Sequence, residues 1–540
     1  MVSFNALLET PASIAIVYGS LVFLVAIGSI CWAYRRTGFW TSSSANAKWI
    51  PGPRGKAFTG NLQDLRTNGA ASCTAWYSLY KRYGPAYELT IPFFRMHIIN
   101  HPTYLEHIQK HNHKNYIRGK FTRNAFGSLH RSGIFVADGL EWQTQRKAAS
   151  RAFSKRNFET HITQSVHYWV DILLRLLSNL AKEQIEIDFQ DLMGRLMFCL
   201  FLRIAFHEDR LALEIMSDDP KCLDSKPEFV EAFDQATHLF DRRRRDPLWK
   251  LSEKLSGEDK VTKRAVDLFY DKIDYLIEKR LEAMRNGYKP NPDAGVDLLD
   301  LFMQSTTDKY TLGGMVYSFL SAGRDTTTYN TSWFMMEIHH SRNQHLNALD
   351  KIRAEIQDHG FTDGFLSYTD APRLRFTNAM WDECTRLNTV SPAGQLEAAE
   401  NDILPAVPEI NMPARRVRKG EVVSYQNYVM ARMPEIWGED AAVFNPYRWL
   451  KDNGENISFS PFKYHAWNAG PRSCLGRPLA TYEGITITVA ILQRFEIILS
   501  NGSRTYEPLA AMNMCIKDIV FRAFEAAFPC VWWRGNMFEI

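Results

Sequence analysis

Five stretches of this chain, 161–180, 261–285, 312–340, 342–359 and 476–495, place apolar residues at three- and four-residue steps. That spacing puts them on one face of a helix, and a face of that width has to be buried against neighbouring helices. The predicted fold is therefore mainly α. Two β-rich pieces, 87–99 with Pro92 at its turn and 421–425, add small sheets at the edges. From about Leu65 onward there is no repeat, no low-complexity tract and no linker long enough to separate two folded bodies. A single large unit is expected, although 540 residues that are 45% hydrophobic would suffice for several ordinary cores.

The N-terminal part reads differently. No charge stands between Glu9 and Arg35, and residues 14–33 run IAIVYGSLVFLVAIGSICWA. As a helix this spans roughly the 30 Å of a bilayer's hydrocarbon layer. A cleaved leader would carry a basic segment in front, which is absent here. Arg35 and Arg36 on one flank, against Glu9 on the other, orient the span with the rest of the chain in the cytoplasm. The expected organisation is a short segment at 1–13, a transmembrane anchor at 14–33, a linker with a Pro-rich hinge at 34–53 and a folded domain at 54–540. The sequons at Asn330, Asn456 and Asn501 would then stay unused.

Sixty-four basic against sixty acidic residues leave a net charge of +4, too small an excess to make nucleic acid the partner. Eight cysteines without a CxxC pair fit a reducing compartment rather than a disulfide or zinc scaffold. The charged run at 241–246 reads as a solvated helix end.

Chemistry concentrates in the segment from Trp467 to Gly476, which precedes the last periodic helix. A cysteine held in a Gly-containing loop at a helix N-terminus meets unpaired N–H groups and the positive end of the dipole, which favour thiolate over thiol. Such a sulfur can bind iron. A second segment, Ala322-Gly323-Arg324-Asp325-Thr326-Thr327, lies inside a long helix. Ala322 and Gly323 precede Thr326 by four and three residues, so the three share a face with room for a flat group. The Thr326 hydroxyl can bond back to the carbonyl four residues earlier. Trp142 and Arg146 stand at i and i+4 and offer only N–H donors, a pair suited to a carboxylate.

The cysteine segment resembles the ligand loop of the cytochrome P450 family of haem-thiolate monooxygenases, Phe-x-x-Gly-x-Arg-x-Cys-x-Gly. Gly470, Arg472, Cys474 and Gly476 fall in register, and Trp467 replaces the Phe. The resemblance implies the fold of that family and haem b, with Cys474 as axial ligand of the iron. It makes Ala322 and Gly323 part of an oxygen-activation groove in which Thr326, relayed by Asp325, delivers protons. It assigns Trp142, Arg146 and Arg472 to haem propionates. Glu383 and Arg386, one helical turn apart, together with the later Arg448, correspond to the family's structural Glu-x-x-Arg and Arg network. One departure follows that helix: no Arg, Lys or His occurs between Pro392 and Pro405. Gln395, Leu396 and Glu397 are instead expected at the border of the substrate cavity, with the Glu397 carboxylate turned to an amine or hydroxyl, or to water.

Within the family the two motifs, with 133–142 and 246–250, are most similar to the fatty-acid and alkane terminal hydroxylases of fungi and plants. The implied reaction is NADPH-driven insertion of one atom of O2 into a C–H bond of a hydrophobic substrate, an aliphatic chain or a fungal polyketide. No flavin or nicotinamide fingerprint is present, so electrons would come from a separate NADPH-cytochrome P450 reductase, with cytochrome b5 as a second donor. Lys463, Arg472 and Arg477 are the candidate docking contacts, and the endoplasmic reticulum membrane is the implied location. Two other readings remain open at this level. A haem-thiolate hydroperoxide isomerase or dehydratase would have no use for the Asp325 and Thr326 relay. A non-enzymatic membrane haem sensor would need a signalling domain.

Overall fold

The computed structural model describes Gly28, Gly52, Pro53, Gly55 and residues 60–61, 70–91, 94–246, 248–290, 295–361, 365–500, 508–510, 513–516 and 519–525. The expected anchor at 14–33 lies outside the described residues apart from Gly28, as do 1–13 and most of 34–53. Among the described residues no helix is long and apolar enough to cross a membrane.

The helices that build the molecule's interior are, in chain order, α1 (Gly119–His130), α2 (Gly139–Ser150), α3 (Thr163–Lys182), α4 (Phe189–Phe206), α5 (Glu228–Arg245), α6 (Trp249–Ser256), α7 (Glu258–Arg285), α8 (Lys309–His339), α9 (Ala348–Asp358), α10 (Arg375–Leu387) and α11 (Arg477–Arg494). Four of the five periodic stretches become α3, α7, α8 and α11 with ends shifted by three residues or fewer. The fifth, 342–359, is not one helix. A 3₁₀ turn, Ser341–Leu346, ends at Asn347 with φ +46°, and only then does α9 begin. Asn tolerates that left-handed conformation, and one such residue is enough to break the rod.

The 31-residue α8 is the axis of the fold. Asp308 caps its start by accepting the Thr311 N–H at 2.8 Å. It packs against α4, α7, α10 and α11, and buried residues occur on every side of it, as expected of a helix at the centre of a large helical body. One core spreads outward from it through Trp169, Phe198, Phe233, Tyr317 and Trp381.

The edge sheet has five strands: β1 (Ala86–Ile91), β2 (Phe94–Ile99), β3 (Tyr116–Ile117), β4 (Gly394–Ala398) and β5 (Val422–Tyr425), in the order β1-β2-β5-β4-β3. Only the β2–β5 pair is parallel. Both β-rich pieces expected from the sequence lie in this sheet. Leu396 and Val423 face each other across β4 and β5 and belong to a second core with Trp437, Trp449 and Tyr464.

Glu383, Arg386 and Arg448 meet behind the cysteine loop. Arg386 grips the Glu383 carboxylate with two bonds of 2.8 Å, and Arg448 adds one of 3.1 Å. The Trp449 indole and the Asn445 N–H supply two more at 2.9 and 2.8 Å. With Glu383 0% exposed, such saturation is what makes a buried charge tolerable.

The run at 241–246 departs from the expected solvated helix end. Arg242 is exposed and pairs with Glu258, but Arg243 is buried, bonds Glu253 at 2.6 and 2.7 Å and lies over the Phe240 and Trp249 rings. Because α6 folds back directly after α5, its Glu253 arrives at the arginine and both leave water together.

Candidate active site

A cavity holding about 1290 Å³ of atom-free space, part of it open to solvent, lies between α8 and the loop before α11. Ala322, Gly323, Thr326 and Thr327 form one wall; Trp467, Arg472, Cys474 and Gly476 form the facing one. The sequence pattern requires this on the α8 side, since residues three and four apart share a helix face. A side chain at Gly323 would meet nothing within 4 Å, so its glycine leaves the wall flat. The Thr326 hydroxyl donates to the Ala322 carbonyl, as expected, and α8 continues without a break.

Two 3₁₀ turns, His465–Trp467 and Gly470–Arg472, shape the loop. The Cys474 N–H donates to the Trp467 carbonyl at 2.8 Å and clamps the loop shut. Gly470 has φ +65°, and a Cβ there would collide with the Gln109 carbonyl, so no other residue fits. His465 bonds Gln109 and Asn427 at 2.8 Å each, and the second Gln109 amide atom reaches Asn468 at 2.8 Å. The loop is thereby tied to the layer beneath it.

The Cys474 side chain is open to the cavity and otherwise enclosed by protein. Burial pushes its thiol above the ordinary value; the N–H groups of Gly476 and Arg477 and the charges of Arg146 and Arg477 pull it down without prevailing. Position at a helix N-terminus accounts for the second set of effects, and desolvation outweighs it in the protein alone.

At one edge of the cavity stand three guanidinium groups. Arg472 bonds Asp138 at 2.9 Å and the Ala137 carbonyl at 3.0 Å, and lies 4.4 Å over the Trp142 ring. Arg146 bonds the Ser473 carbonyl at 2.6 Å. Arg118 was not singled out from the sequence; it lines the cavity with its buried Nε unbonded. Burial, followed by the charge of Arg118, holds Arg472 down at about 10. An excess of positive charge with an unsatisfied donor fits a group bearing two carboxylates, and the flat space between Cys474 and α8 fits its ring. The segment after α10 has no Arg, Lys or His between Pro392 and Pro405, as read from the sequence, and a cationic group comes instead from Arg118 just before α1, where a lone arginine carries no sequence signal.

Three expectations meet a different geometry. Asp325 does not face this cavity. Successive helical residues diverge by about 100°, and its carboxylate borders a second, polar cavity of about 940 Å³ with Arg324, Asp234 and Lys226. There it bonds Arg324 at 2.7 Å, and Arg324 bonds Asp234 at 2.6 Å. Burial pushes Asp325 above the usual carboxylate range, and Arg324 opposes that. Gln395, Leu396 and Glu397 do not line the main cavity either. They sit in β4, and Glu397 accepts the Lys120 N–H at 3.0 Å beside Gly119, whose φ of +73° and lack of Cβ make room for it. Lastly, Arg472 turns inward, which leaves the exposed Arg477 and the half-buried Lys463, held over the Trp437 and Phe459 rings, as the docking candidates.

A family model described as Cytochrome P450 matches residues 50–517. Cytochrome P450 monooxygenase cyp1 of Mycosarcoma maydis is 30% identical over 497 residues, covering 89% of this chain and 74% of that protein. Cytochrome P450 86B1 of Arabidopsis thaliana is 31% identical over 441 residues, 77% of this chain and 74% of its own. Cytochrome P450 94B1 of the same plant is 29% identical over 457 residues, 81% and 85% respectively.

Proposed function

The chain belongs to the cytochrome P450 family and is a monooxygenase, and from that premise we propose that it hydroxylates a long aliphatic chain at an unactivated carbon. The observation that carries this reading is the wall of the cavity away from Cys474, where Phe135, Phe153, Met197, Phe201, Ile204 and Phe319 offer contact to a chain that needs no polar partner. The resemblance of the Ala-Gly-Arg-Asp-Thr-Thr motif to that of the fatty-acid and alkane hydroxylases supports that group over compact polycyclic substrates.

Cys474 would hold the haem iron from the α11 side, and Arg118, Trp142, Arg146 and Arg472 its propionates. Bound there, haem supplies the binding and reductive activation of O2 that no side chain provides. What the chain itself contributes can be assigned residue by residue. The sulfur is kept in place by the Trp467 clamp and faced by two backbone N–H groups. Thr326 gives its hydrogen to the Ala322 carbonyl, so its oxygen is free to accept a hydrogen bond from water in the cavity and hold that water over the reacting position. Asp325 acts from behind by holding Arg324, and reaches the cavity only if it exchanges that partner for Thr326. The apolar wall excludes further water and places the chosen carbon.

Electrons come from NADPH through a separate reductase, with cytochrome b5 as an alternative donor, docking near Arg477 and Lys463. The segment at 14–33 anchors the chain in the endoplasmic reticulum membrane, with the domain at 54–540 on the cytoplasmic side.

The test uses the full chain in microsomes with NADPH. The wild type should show the reduced-CO band of a thiolate-ligated haem and add one oxygen to members of a fatty-acid and alkane panel, read by mass spectrometry. Cys474→Ser should abolish both. Turnover retained in that variant would overturn the ligand assignment, and oxidation confined to compact polycyclic compounds would overturn the substrate class.

A further inference from the structure

One point on the apolar wall of the main cavity is polar. Ser318 of α8 lines that cavity together with Phe319, Ala322 and Thr326. It stands eight residues before Thr326, which is about 12 Å along the helix axis. Its hydroxyl lies 3.0 Å from Nδ1 of His130, at the end of α1, and has no other hydrogen-bond partner among the described residues. The pair is held from several sides. His130 is buried, stacks on the cavity-lining Phe135 at 4.7 Å and meets Tyr317 edge-on at 4.8 Å. A Cβ at Gly133 would come within 2.2 Å of both the Ser318 hydroxyl and the Gly314 carbonyl, and one at Gly314 would meet the His130 carbonyl at 2.5 Å. These two glycines let the end of α1 and the start of α8 touch along their backbones. Arg131 fastens the same turn to Asp274 of α7 with bonds of 2.9 and 3.0 Å.

A hydroxyl has one hydrogen and two lone pairs, and the imidazole takes up only one of them. In one tautomer Ser318 donates to Nδ1 and keeps its oxygen as an acceptor; in the other it accepts from the Nδ1 hydrogen and keeps its own hydrogen to give. Either way a hydrogen-bonding position is left on the cavity wall. Burial, followed by the charge of Arg118, holds the imidazole down at about 3, so the pair carries no charge near neutral pH. A carboxylate brought there would lose its water without gaining a counter-charge. A plain hydrocarbon would leave the Ser318 valence unspent. A hydroxyl on the substrate both donates and accepts, and so matches Ser318 in either tautomer.

Resting on the aliphatic-chain reading above and deepening it, we propose that Ser318, oriented by His130, selects chains that already carry a hydroxyl group on the order of 12 Å from the carbon to be oxidised. Ser318 is then a specificity-determining residue, and His130 positions it without touching the substrate. The hydrogen bond to Ser318 fixes where the chain lies along α8. The carbon presented beside Ala322 and Thr326 is set in turn by its separation from that hydroxyl. An unsubstituted chain has only the apolar wall to hold it and can slide along it.

The experiment uses the full-length haem protein in microsomes, with hexadecanoic acid and the series of its monohydroxy derivatives as probes. Affinity is read from the substrate-induced shift of the haem absorption band, and the site of oxidation by mass spectrometry. In the wild type at least one hydroxy derivative should bind about fivefold tighter than the parent acid, the effect of one neutral hydrogen bond. The new oxygen should keep the same separation from the resident hydroxyl as that group is moved along the chain. Ser318→Ala should remove both the preference and the constant separation, and His130→Phe should loosen the separation. Derivatives bound no tighter than the parent by the wild type, or a preference retained in Ser318→Ala, overturn this proposal alone, since the CO band and oxidation of the parent chain are unaffected by that result. A separation unchanged in His130→Phe overturns the part given to His130. The wild-type series is decisive by itself where a variant loses its CO band. Absence of that band from the wild type, or no oxidation of any chain, overturns the proposal together with the aliphatic-chain reading.

Discussion

Two arginine clusters flank the Cys474 loop, and they are built in opposite ways. Behind the loop, Arg386 and Arg448 converge on Glu383, and both carboxylate oxygens are filled by five donors from four residues. In front of it, Arg118, Arg146 and Arg472 face a cavity with one nearby carboxylate, Asp138, which Arg123 and the Arg118 N–H also claim. The first cluster has no valence left for a ligand, so its energy goes into holding the fold. The second keeps charge and at least one N–H unspent, the arrangement expected where an anionic group is to be bound. Glu483 of α11, buried and lining the same cavity, belongs with the second type, since it makes no hydrogen bond or ion pair with another described residue.

The contrast is broken most directly at Glu383. Glu383→Ala leaves two buried guanidinium groups without their carboxylate and should lower stability by about 3–5 kcal/mol, measured by urea unfolding of the full chain; a loss under about 1 kcal/mol would mean the network is not the keystone its saturation implies. Arg472→Ala should act on the ligand and not the fold. Loss of a charge-assisted bond of about 1.5–3 kcal/mol corresponds to roughly a tenfold to hundredfold faster haem loss to a scavenger, with urea stability of the haem-free chain little changed. Thr326→Ala removes the hydroxyl that faces the cavity and should raise peroxide release per NADPH while leaving haem content and the CO band intact; an unchanged ratio would return Thr326 to a purely structural part in α8.

A further expectation is a pH dependence at Glu483. Its folded value near 8 lies above the ordinary 4.5. Between those values the unfolded chain has released the proton and the folded chain has not, so this residue's contribution to stability falls as pH rises through that window and is constant outside it. Wild type and Glu483→Gln should therefore show stabilities that diverge in the variant's favour from pH 5 to 8. Parallel curves would place Glu483 with the saturated acids.

Helix periodicity identified four long rods to within three residues, because burial on one face imposes a spacing that no tertiary detail erases. It missed the break at Asn347, where a single left-handed residue outweighs the pattern. The charged run at 241–246 was misread for a related reason: which arginine leaves water depends on Glu253 ten residues away, and only the fold-back of α6 brings it there. At the site, motif spacing placed Cys474, Arg472, Gly476, Ala322, Gly323 and Thr326 on the two walls of one cavity. It joined Asp325 to Thr326 by adjacency, but neighbours in a helix point in different directions. Arg118 and Glu483 stood in no motif at all.

The order of residue types along the chain thus determined the helices, the cysteine loop and the family, since each rests on local periodicity or on a motif a few residues long. Which charges are satisfied and which are left facing the cavity was decided only by the tertiary structure. A hydrogen bond or a desolvation penalty depends on what stands within about 3 Å, and at Arg118, Asp325 and Glu483 those surroundings come from segments far apart in the sequence.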